Sequence, residues 1–240
     1  MKLANNKILI TGGATGIGLG LAERFLAENN SVIICGRRED ALEQAKSKFP
    51  GLITHQCDLS IADDRIKLAE WVKEQHSDLN VLVNNAGMQN WMKVTDDAFF
   101  DRATQEVGIN ILAPLHLTEL FLQLPSLTTI MNVTSGLAFV PFSKVAVYSA
   151  TKAFFRSFTL SLRHQLKDTG VEVIEVIPPA LNTDLGGKGL HDSAPPVSDF
   201  IESIFKQLAS GSNEVSFATS TDRLKANNDT IAEYFGRMNP

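Results

Sequence analysis

Tyr148 and Lys152 stand four residues apart in the run Tyr148-Ser149-Ala150-Thr151-Lys152, and Ser135 precedes them at the end of a strand-like segment. Residues i and i+4 share one face of a helix, so a phenol and an ammonium at this spacing aim at the same point. A free tyrosine, with a pKa near 10, is a poor base at neutral pH. A nearby ammonium favours phenolate, and a pKa of about 7 would need roughly 4 kcal/mol of differential stabilisation. So tuned, Tyr148 gives a proton to a carbonyl oxygen as hydride arrives, or takes one from an alcohol in reverse. The Ser135 hydroxyl would steady the developing oxyanion. A lone Tyr-x-x-x-Lys is usually a surface pair, and the chain's other tyrosine, Tyr234, has Met238 at i+4. The weight of the pair therefore depends on its company.

That company begins with Thr11-Gly12-Gly13-Ala14-Thr15-Gly16-Ile17-Gly18, which closes an apolar strand. Gly12, Gly16 and Gly18 permit a tight turn, close backbone approach to a diphosphate and close helix–strand packing. The free amides and dipole of the following helix favour negative charge there. The spacing Gly-x-x-x-Gly-x-Gly differs from the more familiar Gly-x-Gly-x-x-Gly. A second strand leads into Gly36-Arg37-Arg38. An acid at this place reads a ribose 2′-hydroxyl, whereas an arginine accommodates a 2′-phosphate. Arg37, with Arg38 second, therefore favours NADP(H) over NAD(H). Asn84-Asn85-Ala86-Gly87 closes a fourth strand; Ala86 and Gly87 let a cofactor lie close to the main chain, and an Asn side chain can tie neighbouring strands.

These residues need a scaffold, and the chain alternates strand and helix throughout. Strands are expected at 7–11, 31–35, 52–56, 81–84, 128–134, 171–177 and 214–218. Helices are expected at 17–28, 39–49, 61–75, 96–123 and 146–168, with a short one after the Gly/Pro-rich stretch 186–196. Apolar, β-branched strands separated by helices imply βαβ units: an α/β fold, a three-layer doubly wound parallel sheet of about seven strands, in a single domain over 1–240. Its first and fourth strands are neighbours, and a crevice opens at their carboxyl ends.

The 240 residues are 44% hydrophobic and 20% charged, with a net charge of -5. That balance suits one globular domain and does not suggest nucleic acid or an anionic membrane as partner. No apolar stretch approaches the ~20 residues of a membrane span, and no signal core opens the chain. A cytoplasmic location is the expectation. Cys35 and Cys57 have neither CxxC nor zinc spacing and read as small buried hydrophobes.

Together the motifs resemble the short-chain dehydrogenase/reductase family over nearly the whole chain. The family's Thr-Gly-x-x-x-Gly-x-Gly falls at Thr11 to Gly18, its Asn-Asn-Ala-Gly at Asn84 to Gly87, its serine at Ser135 and its Tyr-x-x-x-Lys at Tyr148 to Lys152. The resemblance implies a fourth catalytic residue, Asn110, in a proton relay that links Lys152 to solvent. It also implies adenine contacts at Asp58 and Leu59, diphosphate contacts at Thr15 and Ile17, and ribose contacts by Tyr148 and Lys152. Pro178, the Leu181 main chain and the Thr183 side chain would meet the nicotinamide. Two departures stand out: Pro178-Pro179-Ala180 replaces the usual Pro-Gly, and Thr15 stands where NADP enzymes often carry a basic residue. The run from Pro178 to Leu185 also resembles a small bacterial branch named for teichoic-acid D-alanylation operons.

Residues 184–210 are expected to form a mobile substrate lid, loosened by Gly186, Gly187 and Gly189. Trp91, Leu137, Phe139, Phe142 and Leu185 lie near strand ends and suggest an apolar pocket for a small carbonyl or alcohol. His191 has no companion at metal-ligand spacing. The family resemblance further implies a homodimer or homotetramer through the helices of Asn110 and Tyr148. Three other functions compete: a non-catalytic dinucleotide sensor or scaffold, an epimerase or dehydratase, and a methyltransferase. The sensor would need neither Tyr148 nor Lys152, the epimerase usually adds a C-terminal domain, and the methyltransferase leaves the Tyr–Lys pair unexplained.

Overall fold

A computed structural model describes residues 1–239. Its elements run β1 (Lys7–Thr11), α1 (Gly16–Ala27), β2 (Ser31–Gly36), α2 (Glu39–Lys48), β3 (Ile53–Gln56), α3 (Ala62–Gln75) and β4 (Val81–Asn84). They continue with α4 (Phe99–Val107), a π-helical turn (Gly108–Leu112), α5 (Ala113–Phe121), β5 (Thr129–Val133), α6 (Ala146–Gln165) and β6 (Glu172–Ile177). The chain closes with α7 (Val197–Ala209), β7 (Glu214–Ser216), α8 (Thr219–Leu224) and α9 (Asn228–Met238).

All seven strands are parallel, in the order β3-β2-β1-β4-β5-β6-β7. Strand alternation feeds two cores. Ile8, Ile10, Val32 and Ile34 pack with Leu21 and Phe25 of α1 and with Phe200, Ile204 and Phe205 of α7. Leu9, Ile33, Leu82 and Ile130 face the other way, against α3, α5 and Leu162 of α6. Both layers bury apolar area continuously, the condition for a sheet covered on both faces. Cys35 and Cys57 are free, buried thiols, and burial pushes the Cys57 thiol up to about 12. No helix among the described residues is long and apolar enough to cross a membrane.

Three expectations need correction. Residues 96–98 are not helical: the Asp96 carboxylate accepts from Lys93 N–H at 2.9 Å and its carbonyl from Phe99 N–H at 3.0 Å, so Asp96 makes the turn before α4. The single long helix is interrupted by the π turn that carries Asn110. Pro114 has no N–H to send to the Asn110 carbonyl, which favours such an interruption. Finally, α8 and α9 follow β7; α9 buries none of its residues, so no inward apolar stripe announces it.

Candidate active site

The two loops at the reversal of strand order pack against each other. Gly12 and Gly16 adopt φ of 62° and 54°, values an L side chain rarely takes. A Cβ on Gly12 would lie 3.0 Å from Ala86 Cα, and one on Gly18 only 2.3 Å from the Gly12 carbonyl oxygen. Asn85 fastens the loops, its Nδ2 donating to the carbonyls of Thr11 at 2.9 Å and Gly12 at 3.2 Å. Thr15 opens α1 without a side-chain cap, and no acidic residue occupies the first turn. The first amides of α1 therefore face outward without an intrahelical partner, a setting that suits an anion.

Beside this turn opens a cleft of about 150 Å³ lined by Gly12, Ala14, Thr15, Gly36, Arg37, Arg38 and Ala41. A side chain at Gly36 would meet nothing within 4 Å, so room remains between the glycine turn and both guanidinium groups. Gln56 Nε2 holds the Arg37 carbonyl at 3.1 Å. Asp58 is half-buried, with its carboxylate receiving the Ser60 N–H and hydroxyl at 2.9 and 2.7 Å. Burial raises its pKa, but the Ser60 hydrogen bonds and the Arg37 charge outweigh this and hold it low. A phosphorylated dinucleotide fits these residues: amides for the diphosphate, space, and two arginines at the far end.

At the other end the catalytic candidates converge. Ser135 accepts from Leu137 N–H at 3.1 Å through its hydroxyl oxygen. Tyr148 lies in the first turn of α6, 6% exposed, and Lys152 is 4% exposed. Burial pushes the phenol up to about 12, eased by the nearby Ser135 hydroxyl and reinforced by the negative field of Glu106. Burial lowers Lys152 to about 8. Its Nζ donates to the Val133 carbonyl at 2.8 Å and stands 5.7 Å from the Tyr148 ring centre. The expected lowering of the tyrosine by Lys152 is thus not present in this state: the ammonium is turned to the strand end, and loss of hydration dominates the phenol.

Asn110 reaches the same place from the π turn. Its Nδ2 donates to Thr151 Oγ1 at 3.1 Å, and Thr151 donates to the Tyr148 carbonyl at 2.7 Å. A Cβ on Gly87 would lie 3.5 Å from Asn110 Oδ1 and 3.6 Å from Lys152 Nζ. A family model described as short chain dehydrogenase matches residues 6–193, well over half of the chain. The chain belongs to the short-chain dehydrogenase family.

Members of this family are nicotinamide-dependent oxidoreductases, and the relatives agree. The uncharacterized oxidoreductase DltE of Bacillus subtilis is 42% identical over 254 aligned positions, covering 100% of this chain and 98% of its own. The NADP-dependent 3-hydroxy acid dehydrogenase YdfG of Salmonella typhi is 30% identical over 71% of each chain. A short-chain dehydrogenase from Burkholderia cenocepacia J2315, solved with NADP, superposes with a TM-score of 0.84 at 24% identity, over 98% of this chain and 99% of that one.

Several family positions do other work here. The Asn84 side chain lies between strands, donating to Asn132 Oδ1 at 3.0 Å and Thr118 Oγ1 at 3.4 Å, and so faces away from the crevice. Leu59 and Leu181 place their side chains in the two cores, which leaves only their main chains for a cofactor. The Pro178 carbonyl receives Gly136 N–H at 3.0 Å, and Thr183 lies beside Gly16. The Arg156 guanidinium lies over the Phe139 ring, 4.3 Å from its centre. Trp91 and Phe142 do meet edge to face, 5.7 Å apart; Leu137 and Leu185 are half-buried.

The lid expectation shrinks. Phe200, Ile204, Phe205 and Leu208 of α7 are buried, so residues 197–210 belong to the helical layer and cannot swing. Residues 184–196 remain as an exposed loop pinched at its base, where Asn182 donates its N–H to the Pro195 carbonyl and its side-chain amide to that of Asp192. Sequence reasoning passed over Gln89 and Glu106. Glu106 is fully buried, and its Oε1 accepts from Asn90 N–H.

Proposed function

We propose that the protein is an NADP(H)-dependent reductase that interconverts a carbonyl and a secondary alcohol. The observation that carries this reading is the buried Tyr148 phenol one helical turn from Lys152, whose Nζ stands 5.7 Å from the phenol ring centre and beside Gly87 of the crevice. NADP(H) supplies or accepts the hydride. The amides around Gly12, Thr15, Gly16, Ile17 and Gly18 would hold its diphosphate, Arg37 and Arg38 its 2′-phosphate, and Asp58 with the Leu59 main chain its adenine. Ala86 and Gly87 leave room beside the ribose, Tyr148 and Lys152 supply its partners, and Pro178, Leu181 and Thr183 border the nicotinamide.

A phenol held near 12 keeps its proton at neutral pH, which suits a general acid for carbonyl reduction. Ser135 would hold the substrate oxygen, Lys152 would bring positive charge beside the phenol, and Asn110 would position the relay. The Salmonella relative, named as an NADP-dependent 3-hydroxy acid dehydrogenase, supports the same reaction type and cofactor. Trp91, Leu137 and Leu185 would line the substrate space under the 184–196 loop. Exposed Leu112, Phe154 and Leu160, on the π turn and α6, support a homodimer or homotetramer, which light scattering at micromolar concentration tests.

The deciding experiment is a panel of ketones, aldehydes and alcohols assayed with NADPH and NADH side by side. Turnover on at least one carbonyl, abolished by Tyr148→Phe with NADPH binding retained, is the expected result. NADPH binding without any Tyr148-dependent turnover would point instead to a dinucleotide sensor.

A further inference from the structure

Five buried side-chain polar atoms lack a hydrogen-bond partner among the described residues, and three of them belong to one patch: Gln89 Oε1, Trp91 Nε1 and Glu106 Oε2. Buried polar atoms are nearly always paired, so such a group needs a reason. The patch is the segment 88–91 that follows Gly87, together with Glu106 of α4, which holds Asn90. It is firmly anchored. Asn110 holds Met88 at both its N–H and its carbonyl, Glu106 holds Asn90 N–H, and Arg102 Nη2 donates to the Trp91 carbonyl at 2.8 Å. Phe142 packs edge to face on the Trp91 ring.

Over the two unpartnered atoms lies the loop 184–196. A Cβ on Gly186 would sit 2.7 Å from Gln89 Oε1 and 3.1 Å from Trp91 Nε1. Gly186 itself has φ of 82°, and its neighbours Gly187 and Gly189 have 150° and 81°. Glycine backbone thus fills the space over an acceptor and a donor without satisfying either, and both are held on a rigid segment.

Resting on the reductase reading above, we propose that Gln89 and Trp91 form a subsite for a hydroxyl group of the substrate, separate from the carbonyl that Tyr148 protonates. One hydroxyl accepts from the Trp91 indole N–H and donates to Gln89 Oε1, so a single group answers both atoms. A carboxylate accepts from Trp91 but sets its negative oxygen against Gln89 Oε1. Arg102 of α4, which reaches this segment, is engaged with the Trp91 carbonyl and lies 3.9 Å from Asp96. An alkyl tail leaves both atoms bare. The substrate class is therefore a hydroxyketone or hydroxyaldehyde, a revision of the apolar pocket that the aromatic residues alone suggest. The hydroxyl takes the place of Gly186, whose glycine neighbours let the loop lift away.

The test uses matched substrates with NADPH: hydroxyacetone against butan-2-one, 4-hydroxybutan-2-one against pentan-2-one, 5-hydroxypentan-2-one against hexan-2-one, and 4-oxopentanoate as the acid. A site built to bond a hydroxyl strongly disfavours the analogue without one. At least one hydroxyketone should exceed its alkyl match in kcat/KM by about tenfold or more. Trp91→Phe and Gln89→Met should each bring that ratio to within about threefold of unity. A purely structural role for these side chains would lower both members of a pair and leave the ratio unchanged, which overturns the inference. So would the absence of any hydroxyl preference, or a preference for 4-oxopentanoate. Inactivity of the wild type on every carbonyl with both cofactors would overturn the reductase reading itself, a distinguishable failure.

Discussion

Asn110 grips Met88 from both sides: its Oδ1 accepts the Met88 N–H at 2.9 Å, and its Nδ2 donates to the Met88 carbonyl at 2.9 Å. A residue that the family resemblance casts in a proton relay thus also anchors the segment 88–91, proposed above to border the substrate. The side chain is 1% exposed, so its loss strips two main-chain groups of partners in a place where water enters poorly. Asn110→Ala should lower unfolding stability by about 2 kcal/mol, read from urea denaturation. Turnover should fall with it. A variant of wild-type stability would mean that Met88 finds other partners.

The buried ammonium of Lys152 makes stability depend on pH. Its pKa falls from 10.5 to about 8 on folding, so between those values the unfolded chain binds more protons and stability rises with pH. The destabilisation is fully present below about 8 and vanishes above the unfolded value. Relative to Lys152→Met, the cofactor-free wild type should gain up to about 3 kcal/mol as pH rises through that window. Denaturation of both proteins at pH 7.5 and 10 checks this, and the difference cancels the opposing contribution of the cysteine thiols. A constant gap would show that the ammonium is well solvated.

Arg37 would carry the proposed NADP(H) preference with little help, since Thr15 is neutral and Arg38 stands at the N-cap of α2. A charge-assisted contact to phosphate is worth about 1.5–3 kcal/mol, or roughly ten- to a hundredfold in affinity. Arg37→Asp should weaken NADPH by that factor and leave NADH equal or improved, measured as KM for each cofactor. A wild type that prefers NADH would remove the basis for the assignment.

Much of this was legible in the residues because it rests on local rules. Ile8, Leu9 and Ile10 announce a strand buried on both faces, and Gly12, Gly16 and Gly18 announce a turn in which side chains do not fit. Tyr148 and Lys152 are neighbours by helix geometry alone. What stayed hidden depends on distant contacts. The Lys152–Val133 hydrogen bond spans α6 and β5, and the Arg156 contact with Phe139 depends on β6 and β7 closing the sheet. Gln89 and Glu106 were silent because a polar residue buried by tertiary packing reads the same in sequence as an exposed one. Phe200, Ile204 and Phe205 did have helical spacing, but the glycines before them drew α7 into the lid.

The fully buried carboxylate of Glu175 on β6 ties the sheet edge to the end of β5. It accepts from Thr134 Oγ1 at 2.7 Å and pairs with Arg156, which also reaches Glu214 at 3.2 Å. Removing the cation leaves a charge with little hydration, so Arg156→Met should cost about 3–5 kcal/mol. Burial holds the Glu175 carboxyl above its ordinary value even with the arginine present, and without that counter-charge it rises further. A group whose folded pKa is raised contributes stability that is complete at low pH and lost as pH rises through the folded value. The penalty of Arg156→Met should therefore be smaller at pH 5 than at pH 8. Arg156→Met combined with Glu175→Gln should recover most of it at pH 8. Urea denaturation of the three proteins at both pH values decides this: a penalty that ignores pH and survives Glu175→Gln would assign the loss to Arg156 packing on Phe139 rather than to the buried charge.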